Sequence, residues 1–346
     1  MEILEILEID GSQGEGGGQV LRTALSLSAC TGQAMHIRLI RSGRKKPGLM
    51  RQHLACVNAA AEICGAKVKG ATLGSQNVQF IPGEIQGGEY RFSVGSAGSS
   101  TLIFQTALPL LMSANRSSRL VLEGGTHNPL APTYDFIRET FLPVLHRIGV
   151  DCRTRLERYG FYPVGGGRWS VEIEPQAVFW PLDLPERGDL LNAEAVCIDA
   201  GLPSHIAQRE MKTLLDKLNW PVERVKNLHV EALGKGNVVS VRAYYSHIAE
   251  VIDSIGTIGV SAERVATVAV ERFYRYHSNG APVGEHLADQ LLLPLALAAG
   301  GSFVTGPLSE HARTNIAVIK QFLDVEIHCE AIAPQTQWRI SVQKRS

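Results

Sequence analysis

Three places in the sequence gather residue types suited to chemistry. GEGGGQ at positions 14–19 stands between a strand-like run and a helix-length apolar stretch. Its backbone N–H groups and the positive end of the following helix can receive a phosphate or carboxylate. Glu15 lies inside the loop and Arg22 one turn into the helix, the types for a metal carboxylate beside a phosphate clamp. No Gly-Lys-Ser/Thr follows, so this is no Walker A loop, and Gln19 stands where a dinucleotide fingerprint has its third glycine. Taken alone, the glycines are explained equally by a tight turn that lets helix and sheet approach. The second place is RLIRSGRKKPGLMRQH, in which Arg38, Arg41, Arg44, Lys45, Lys46 and Arg51 crowd into a Gly- and Pro-containing loop entering a helix. Guanidinium groups at this density suit bidentate grasp of phosphates, and a solvated basic face accounts for them as well. The third is His311, after the Gly306-Pro307 break and Ser309-Glu310, at the start of a helix expected over 312–322. A helix N-terminus disfavours imidazolium, keeps a ring nitrogen nucleophilic at neutral pH, and would hold a phosphate attached to that nitrogen. A capping histidine fits the position too. None of the eleven histidines has HExxH or HxH spacing.

Positioning these groups falls to an alternating α and β chain. Short alternating runs over 90–94, 119–122 and 169–173 read as strands, and apolar-periodic stretches of helical length separate them. The sequence also resembles itself. QVLRTALSLS, STLIFQTALPLLMS and GEHLADQLLLPLALA align so that Arg22, Gln105 and Gln290 share one register and Pro109 coincides with Pro294. AAAEICGAKV, LPVLHRIGVDC and VIKQFLDVEIHC give a second anchor, each a helix turning into a strand. Both anchors leave about 80 residues between the first and second copies and about 100 more between the second and third. The expectation is three related units, each with two helices on a sheet, and an extra α/β domain inserted before the third. The corresponding division is 1–185 for units one and two, 186–282 for the insert, and 283–346 for unit three. Within the insert we expect a strand around 194–198, a helix over 205–218, a hairpin turning at GKGN (234–237), and a helix capped by Ser261.

Composition sets the frame. The 346 residues are 45% apolar and 20% charged, with 34 basic and 34 acidic side chains, so any anion site is a local patch. No apolar run approaches the roughly 20 residues that cross a bilayer. Six cysteines without CxxC spacing read as reduced thiols, mostly in the core, and the acidic start MEILEILEID lacks the marks of a secretory signal. A cytoplasmic location is expected.

GSQGEGGGQVLR, RSGRKKPGLMRQHL, GSAGSSTLIFQTALPLL, GGTHNPLAPTYDFI, GFYPVGGG, GEHLADQLLLPLALA and HARTNIAVI together resemble the RNA 3′-terminal phosphate cyclases, in family order and essentially end to end. The resemblance implies three repeats like the C-terminal domain of translation initiation factor three and the enolpyruvyl transferases, plus a smaller inserted domain. It implies two substrates, ATP and an RNA ending in a 3′-phosphate, and a divalent metal, Mg or Mn. His311 would attack the α-phosphorus of ATP and carry AMP; the RNA phosphate would take the AMP, and the 2′-OH would displace it to close a 2′,3′-cyclic phosphate.

By the same resemblance Glu15 would bind the metal, and Arg22, Arg41 and Arg44 the triphosphate or RNA phosphate, with Gln52 and His53 lining that site. Gln105 would form the floor, Pro132 and Phe136 the adenosine pocket, and Asp289 and Gln290 would contact the nucleoside. His286 departs from the family, which commonly has a tyrosine stacking on adenine there; imidazole offers less area. The competing reading within the family is its non-catalytic branch that works in ribosome assembly and lacks the nucleophilic histidine. A carboxyvinyl transferase on the shared architecture is opposed by the insert. A simple RNA-binding module is opposed by the insert's lack of interleaved aromatic and basic residues.

Overall fold

The computed structural model describes residues 5–333 and 336–345. The first sheet follows from the helix-length stretches flanked by strands: β1 (Leu7–Asp10), α1 (Gln19–Thr31), β2 (Met35–Arg38), α2 (Arg51–Cys64), β3 (Lys67–Lys69) and β4 (Val78–Ile81). Its strand order is β1-β2-β4-β3, with the first pair parallel and the rest antiparallel. The second sheet takes β5 (Glu89–Ser93), α3 (Thr101–Leu111), β6 (Ser118–Gly124), α4 (Tyr134–Phe136), a π-helical turn (Ile137–Phe141), α5 (Leu142–Arg147), β7 (Asp151–Arg158) and β8 (Gly167–Glu174). Its order, β5-β6-β8-β7, repeats the first in sequence and direction.

The chain then lays down one short strand, β9 (Leu182–Leu184), and leaves. β10 (Leu190–Ala200), α6 (Ser204–Leu218), β11 (Val225–His229), β12 (Gly236–Tyr245), β13 (Ala249–Ile255) and α7 (Ala262–Asn279) build a sheet of their own, ordered β11-β10-β12-β13. It returns through α8 (Glu285–Leu297), β14 (Gly301–Thr305), α9 (Glu310–Phe322), β15 (Val325–Ala333) and β16 (Gln337–Lys344). The last sheet is β15-β16-β14-β9, with β9 parallel to β14, so it has the order and directions of the first two.

Two expectations change. Residues 182–184 were counted with the second unit, but they pair with β14 in the third sheet. The helix anchors of the self-comparison lie after the first strand of each sheet, so they cannot register a first strand that stands about 100 residues ahead of its helix. GKGN does not turn a hairpin: β11 and β12 lie on opposite sides of β10, and the tight β12–β13 connection near Ser246 is the hairpin. The glycines at 234 and 236 serve close approach, because a Cβ on either would overlap Val164 or Phe161.

Packing follows from the apolar pattern. α1 is buried on nearly every side because α2, α3 and α9 all pack on it. Trp169 of β8 is wholly buried and donates from Nε1 to Ser100 Oγ at 3.0 Å, tying the second sheet to the start of α3. Along β10, Ala195 and Cys197 join the main core while Val196, Ile198 and Ala200 form a separate cluster with Phe161, the two faces expected of alternating side chains. All six cysteines are free thiols, and three of them are buried. Among the described residues no helix is long and apolar enough to cross a membrane.

Candidate active site

The first helices of the three like-ordered sheets meet at one cleft. Gln19, Arg22, Thr23 and Ser26 of α1 line it, with Gln105, Leu108 and Pro109 of α3 and Asp289, Gln290, Leu293 and Pro294 of α8; Phe141 and Asn315 complete it. Arg22, Gln105 and Gln290, which share a register in the self-comparison, all face this space. So do the two coincident prolines.

His311 stands over one end of the cleft, in the first turn of α9. Ser309 caps that helix, its Oγ accepting from the Ala312 N–H at 3.1 Å. The imidazole Nδ1 is hydrogen-bonded to Gln19 Oε1, and Gln19 Nε2 donates to Asp289 Oδ2 at 3.0 Å. With Asp289 ionised, its oxygen requires the amide NH₂ there, so the carbonyl end faces the histidine. Nδ1 therefore donates, and Nε2 keeps its lone pair. Desolvation lowers the His311 pKa, and the guanidinium groups of Arg22 and Arg44 lower it further. Burial pushes the Asp289 carboxyl up to about 7, against the Gln19 hydrogen bond and Arg22. A neutral, oriented imidazole results.

The glycine loop is docked onto the same helix. The Glu15 N–H donates to Thr314 Oγ1 at 3.2 Å, and Thr314 Oγ1 donates to the Glu310 carbonyl at 2.7 Å. Gly14 takes a left-handed backbone (φ 58°) and a Cβ on it would overlap Thr314 Oγ1, so glycine is needed on both counts. Gly18 leaves room for His53 Nε2 and Arg22 Nη1, which a Cβ would strike. Glu15 pairs with Arg44, whose Nη2 also donates to the Glu15 carbonyl at 3.0 Å, and its other oxygen lies 3.9 Å from His311 Nδ1.

The basic loop divides its labour. Arg41, itself at φ 54°, donates from Nη1 to the carbonyls of Lys46 and Gly48, both at 2.8 Å, and so shapes the loop. Arg51 donates to the Gly95 carbonyl at 2.7 Å, while Lys45 and Lys46 are exposed. His53 is buried with Nδ1 accepting from the Met50 N–H at 3.1 Å, which leaves the proton on Nε2 beside Gly18. Burial, with Arg22 and Arg41, holds its pKa down at about 3. Gln52 lies against Gly98 of the GSAGSS loop.

Of the sequence candidates, Arg22, Gln105, Asp289 and Gln290 line the cleft itself, Glu15, Arg41, Arg44, Gln52, His53 and His311 belong to the loops and helix start described above, and Pro132, Phe136 and His286 do neither. Phe136 is 4% exposed and sits in the main core. Pro132 is half-buried, its carbonyl accepting from Thr101 Oγ1 at 2.8 Å, and His286 is exposed on α8. Conversely, Gln19, Thr314 and Asn315 were missed. Asn315 accepts from Thr23 Oγ1 at 2.7 Å and donates to the Asp289 carbonyl at 2.8 Å, joining α1, α8 and α9. The available signal was spacing: Thr314 and Asn315 fall three and four residues after His311, on its face of the helix.

A divalent metal finds only part of a site in the chain itself. Among the described residues no group of three or more His, Cys, Asp or Glu side chains is arranged to hold a metal ion. Glu15 offers one carboxylate, shared with Arg44.

The family model for RNA 3′-terminal phosphate cyclase matches residues 13–329. The chain belongs to this family. Similar curated proteins, each called RNA 3′-terminal phosphate cyclase, include one of Koribacter versatilis, 47% identical and covering 98% of both chains. One of Pseudomonas fluorescens is 47% identical over 96% of both, and one of Salmonella typhimurium is 48% identical over 94% of this chain and 96% of its own length. The matched span takes in the glycine loop, the basic loop, all three cleft helices and His311.

Proposed function

We propose that this family member is an enzyme that converts an RNA 3′-terminal phosphate into a 2′,3′-cyclic phosphodiester at the expense of ATP, with His311 as the nucleophile. The supporting observation is the relay from Asp289 through Gln19 to His311 Nδ1, which leaves Nε2 unprotonated at the capped start of a helix. Nε2 attacks the α-phosphorus of ATP, the bond to the bridging oxygen breaks, and pyrophosphate leaves. AMP remains as a phosphoramidate. An oxygen of the RNA phosphate then attacks that phosphorus, the N–P bond breaks, and an RNA-adenylate anhydride forms. The 2′-OH attacks the terminal RNA phosphorus, loses its proton, and expels AMP as the ring closes. The last step is intramolecular, so proximity is supplied by the ribose and the protein's task is charge and position.

In this reading Arg22, Arg41 and Arg44 neutralise the phosphates beside Gln52 and His53, and the Nε2 proton of His53 is a donor toward them. Gln105 is the floor, and Asp289 and Gln290 contact the nucleoside. Gln290 Oε1 is buried without a hydrogen-bond partner among the described residues, an acceptor that an amino group of the nucleotide would satisfy. Pro132, Phe136 and His286 are assigned to the adenosine end on the family resemblance alone. Glu15 would be the residue that holds a Mg or Mn ion brought with the nucleotide, and the ion would supply neutralisation of the departing pyrophosphate. The three like-ordered sheets are read as repeats of the kind found in translation initiation factor three and the enolpyruvyl transferases, and the fourth sheet as a separate inserted domain. A cytoplasmic location belongs to the same reading.

The test is incubation with α-labelled ATP and a divalent ion. A protein-bound label, stable to base, labile to acid and lost in His311→Ala, is expected. Addition of an oligoribonucleotide with a 3′-phosphate should then yield phosphatase-resistant ends. Absence of the label overturns the histidine mechanism, and ends that stay phosphatase-sensitive overturn the reaction.

A further inference from the structure

The inserted segment touches both walls of the cleft through one hairpin, β12–β13. On the first wall, Arg242 of β12 donates from Nη2 to Asp135 Oδ2 at 2.8 Å and from Nη1 to Glu139 Oε1 at 3.0 Å. Tyr244 Oη donates to Glu139 Oε2 at 3.0 Å, Thr133 Oγ1 donates to Asp253 Oδ2, and the Val251 N–H donates to Thr140 Oγ1 at 2.9 Å. These partners span the segment from Thr133 to Thr140; the next residue, Phe141, lines the cleft. On the second wall, Glu250 of β13 accepts from the backbone N–H of Gly284, the residue that caps α8. Gly284 has an ordinary extended backbone (φ −69°, ψ 164°), so no conformational need explains it. Space does: a Cβ there would overlap Glu250 Oε1. One turn further along, α8 presents Asp289 and Gln290 to the cleft.

The joint is a poor device for stability. Asp135 and Glu250 are 2% and 4% exposed, and burying such groups costs at least as much as their pairing returns when compared with apolar packing. Arg242 Nε and Glu250 Oε2 are buried with no partner among the described residues. Directional polar contacts do fix register, and this set fixes the segment containing Phe141 and the helix containing Asp289 to one strand pair.

We propose that the β12–β13 hairpin is a positioning brace for the nucleotide cleft, with Asp253 and Glu250 setting how far the Thr133–Phe141 segment stands from α8. This rests on the reading that the cleft takes ATP. The partner class is a nucleoside triphosphate, and the brace acts on its nucleoside end rather than on the RNA phosphate. None of its residues touches the reacting atoms.

The experiment uses the full chain and the rate of labelling by α-labelled ATP over a range of ATP concentrations, for Asp253→Asn, Glu250→Gln and Gly284→Ala. The half-saturating ATP concentration should rise about tenfold in each, with the saturating rate and the half-saturating RNA concentration changed less than about twofold. A merely structural joint would instead lower the melting temperature and the fraction of molecules that label, at unchanged half-saturating ATP. That outcome overturns the brace. Gly284→Ala, changed from the catalytic side, stands in should Asp253→Asn not fold. A wild-type chain that takes no label overturns the cleft reading and the brace with it; a wild type that labels beside variants with wild-type ATP dependence overturns the brace alone.

Discussion

The cleft and the Asp135–Arg242 side of the neighbouring joint both bury ionisable groups, but they leave them in opposite states. In the joint, Asp135 is answered first by His127 at 3.7 Å and then by Arg242 at 2.8 Å and Arg138 at 3.5 Å, and its carboxyl is held down at about 2 even though burial alone would raise it. In the cleft, Asp289 rises to about 7, His53 falls to about 3, and no carboxylate lies within ion-pair distance of Arg22 among the described residues. Burial dominates the cleft shifts and pairing dominates at Asp135, while Glu250 and Asp253 elsewhere in the joint are raised by burial as Asp289 is. Groups satisfied by the protein hold position; groups left unsatisfied hold binding energy for something that arrives later.

The largest effect should come from removing the unanswered cation. Arg22→Ala should lower cyclisation by about 10²–10³-fold, the usual cost of one preorganised charge aimed at a phosphate, with little change in melting temperature. Single-turnover rates with saturating ATP and RNA provide the measurement. A loss below about threefold would mean that Arg22 is as idle as an exposed arginine, and the contrast between the two regions would break.

In the joint the order of effects reverses. Asp135→Asn should destabilise the fold by roughly 3 kcal/mol at pH 7, because Arg242 and Arg138 lose a buried counter-charge. The folded-state pKa of Asp135 lies below its ordinary value, so the pair's contribution is complete above about pH 4 and disappears as the pH falls toward about 2. Urea unfolding at pH 7 and pH 3 checks both statements, since the gap between wild type and variant should narrow at the lower pH. An equal gap at both would assign the loss to shape instead of charge.

Gln19 separates reading a residue from reading its role. Arg22, Gln105 and Gln290 were legible because helix periodicity and self-similarity put them in one register, and helices of equivalent units converge. The helix start around His311 was legible, but it left a capping histidine open, and the role assigned to His311 came from the family resemblance. Gln19 appeared only as the residue spoiling a dinucleotide fingerprint, because its partners, Asp289 and His311, lie 270 and 292 positions away. Contacts of that reach are set by docking between units, which no local pattern records. The β9 strand was lost for the same reason, and GKGN was misread because close packing and tight turning select the same residue. The role of Gln19 is open to a direct test. Gln19→Ala should slow self-adenylylation about thirtyfold, by freeing the imidazole to turn. Gln19→Glu should move the low-pH limb of the rate profile upward, since a carboxylate at Nδ1–H favours imidazolium. Superimposable pH profiles would remove Gln19 from the relay.

A third buried carboxyl shows why a displaced pKa alone does not mark a catalytic centre. Glu210 of α6 is 1% exposed, accepts from Asn237 Nδ2, and has Oε2 without a partner among the described residues. Burial pushes it up to about 7, as far as Asp289, and Asp199 and Glu263 add to the shift. Glu210 sits on α6, beside the β11-β10-β12-β13 sheet, and does not line the cleft. Its folded-state pKa lies above the unfolded one, so below about pH 4 both states hold the proton and nothing is lost. As the pH climbs to about 7 the unfolded chain releases its proton first, and stability declines across that window. Glu210→Gln keeps the acceptor for Asn237 and removes the titration. It should match wild type near pH 4 and be more stable on the order of 1 kcal/mol at pH 8, with labelling by ATP unchanged. Denaturant midpoints at the two pH values decide it: a variant no more stable at pH 8 than at pH 4, relative to wild type, would mean that Glu210 meets its charge with a partner after all. It would then resemble Asp135 more than Asp289, and burial without an answering charge would no longer be common to Glu210 and Asp289.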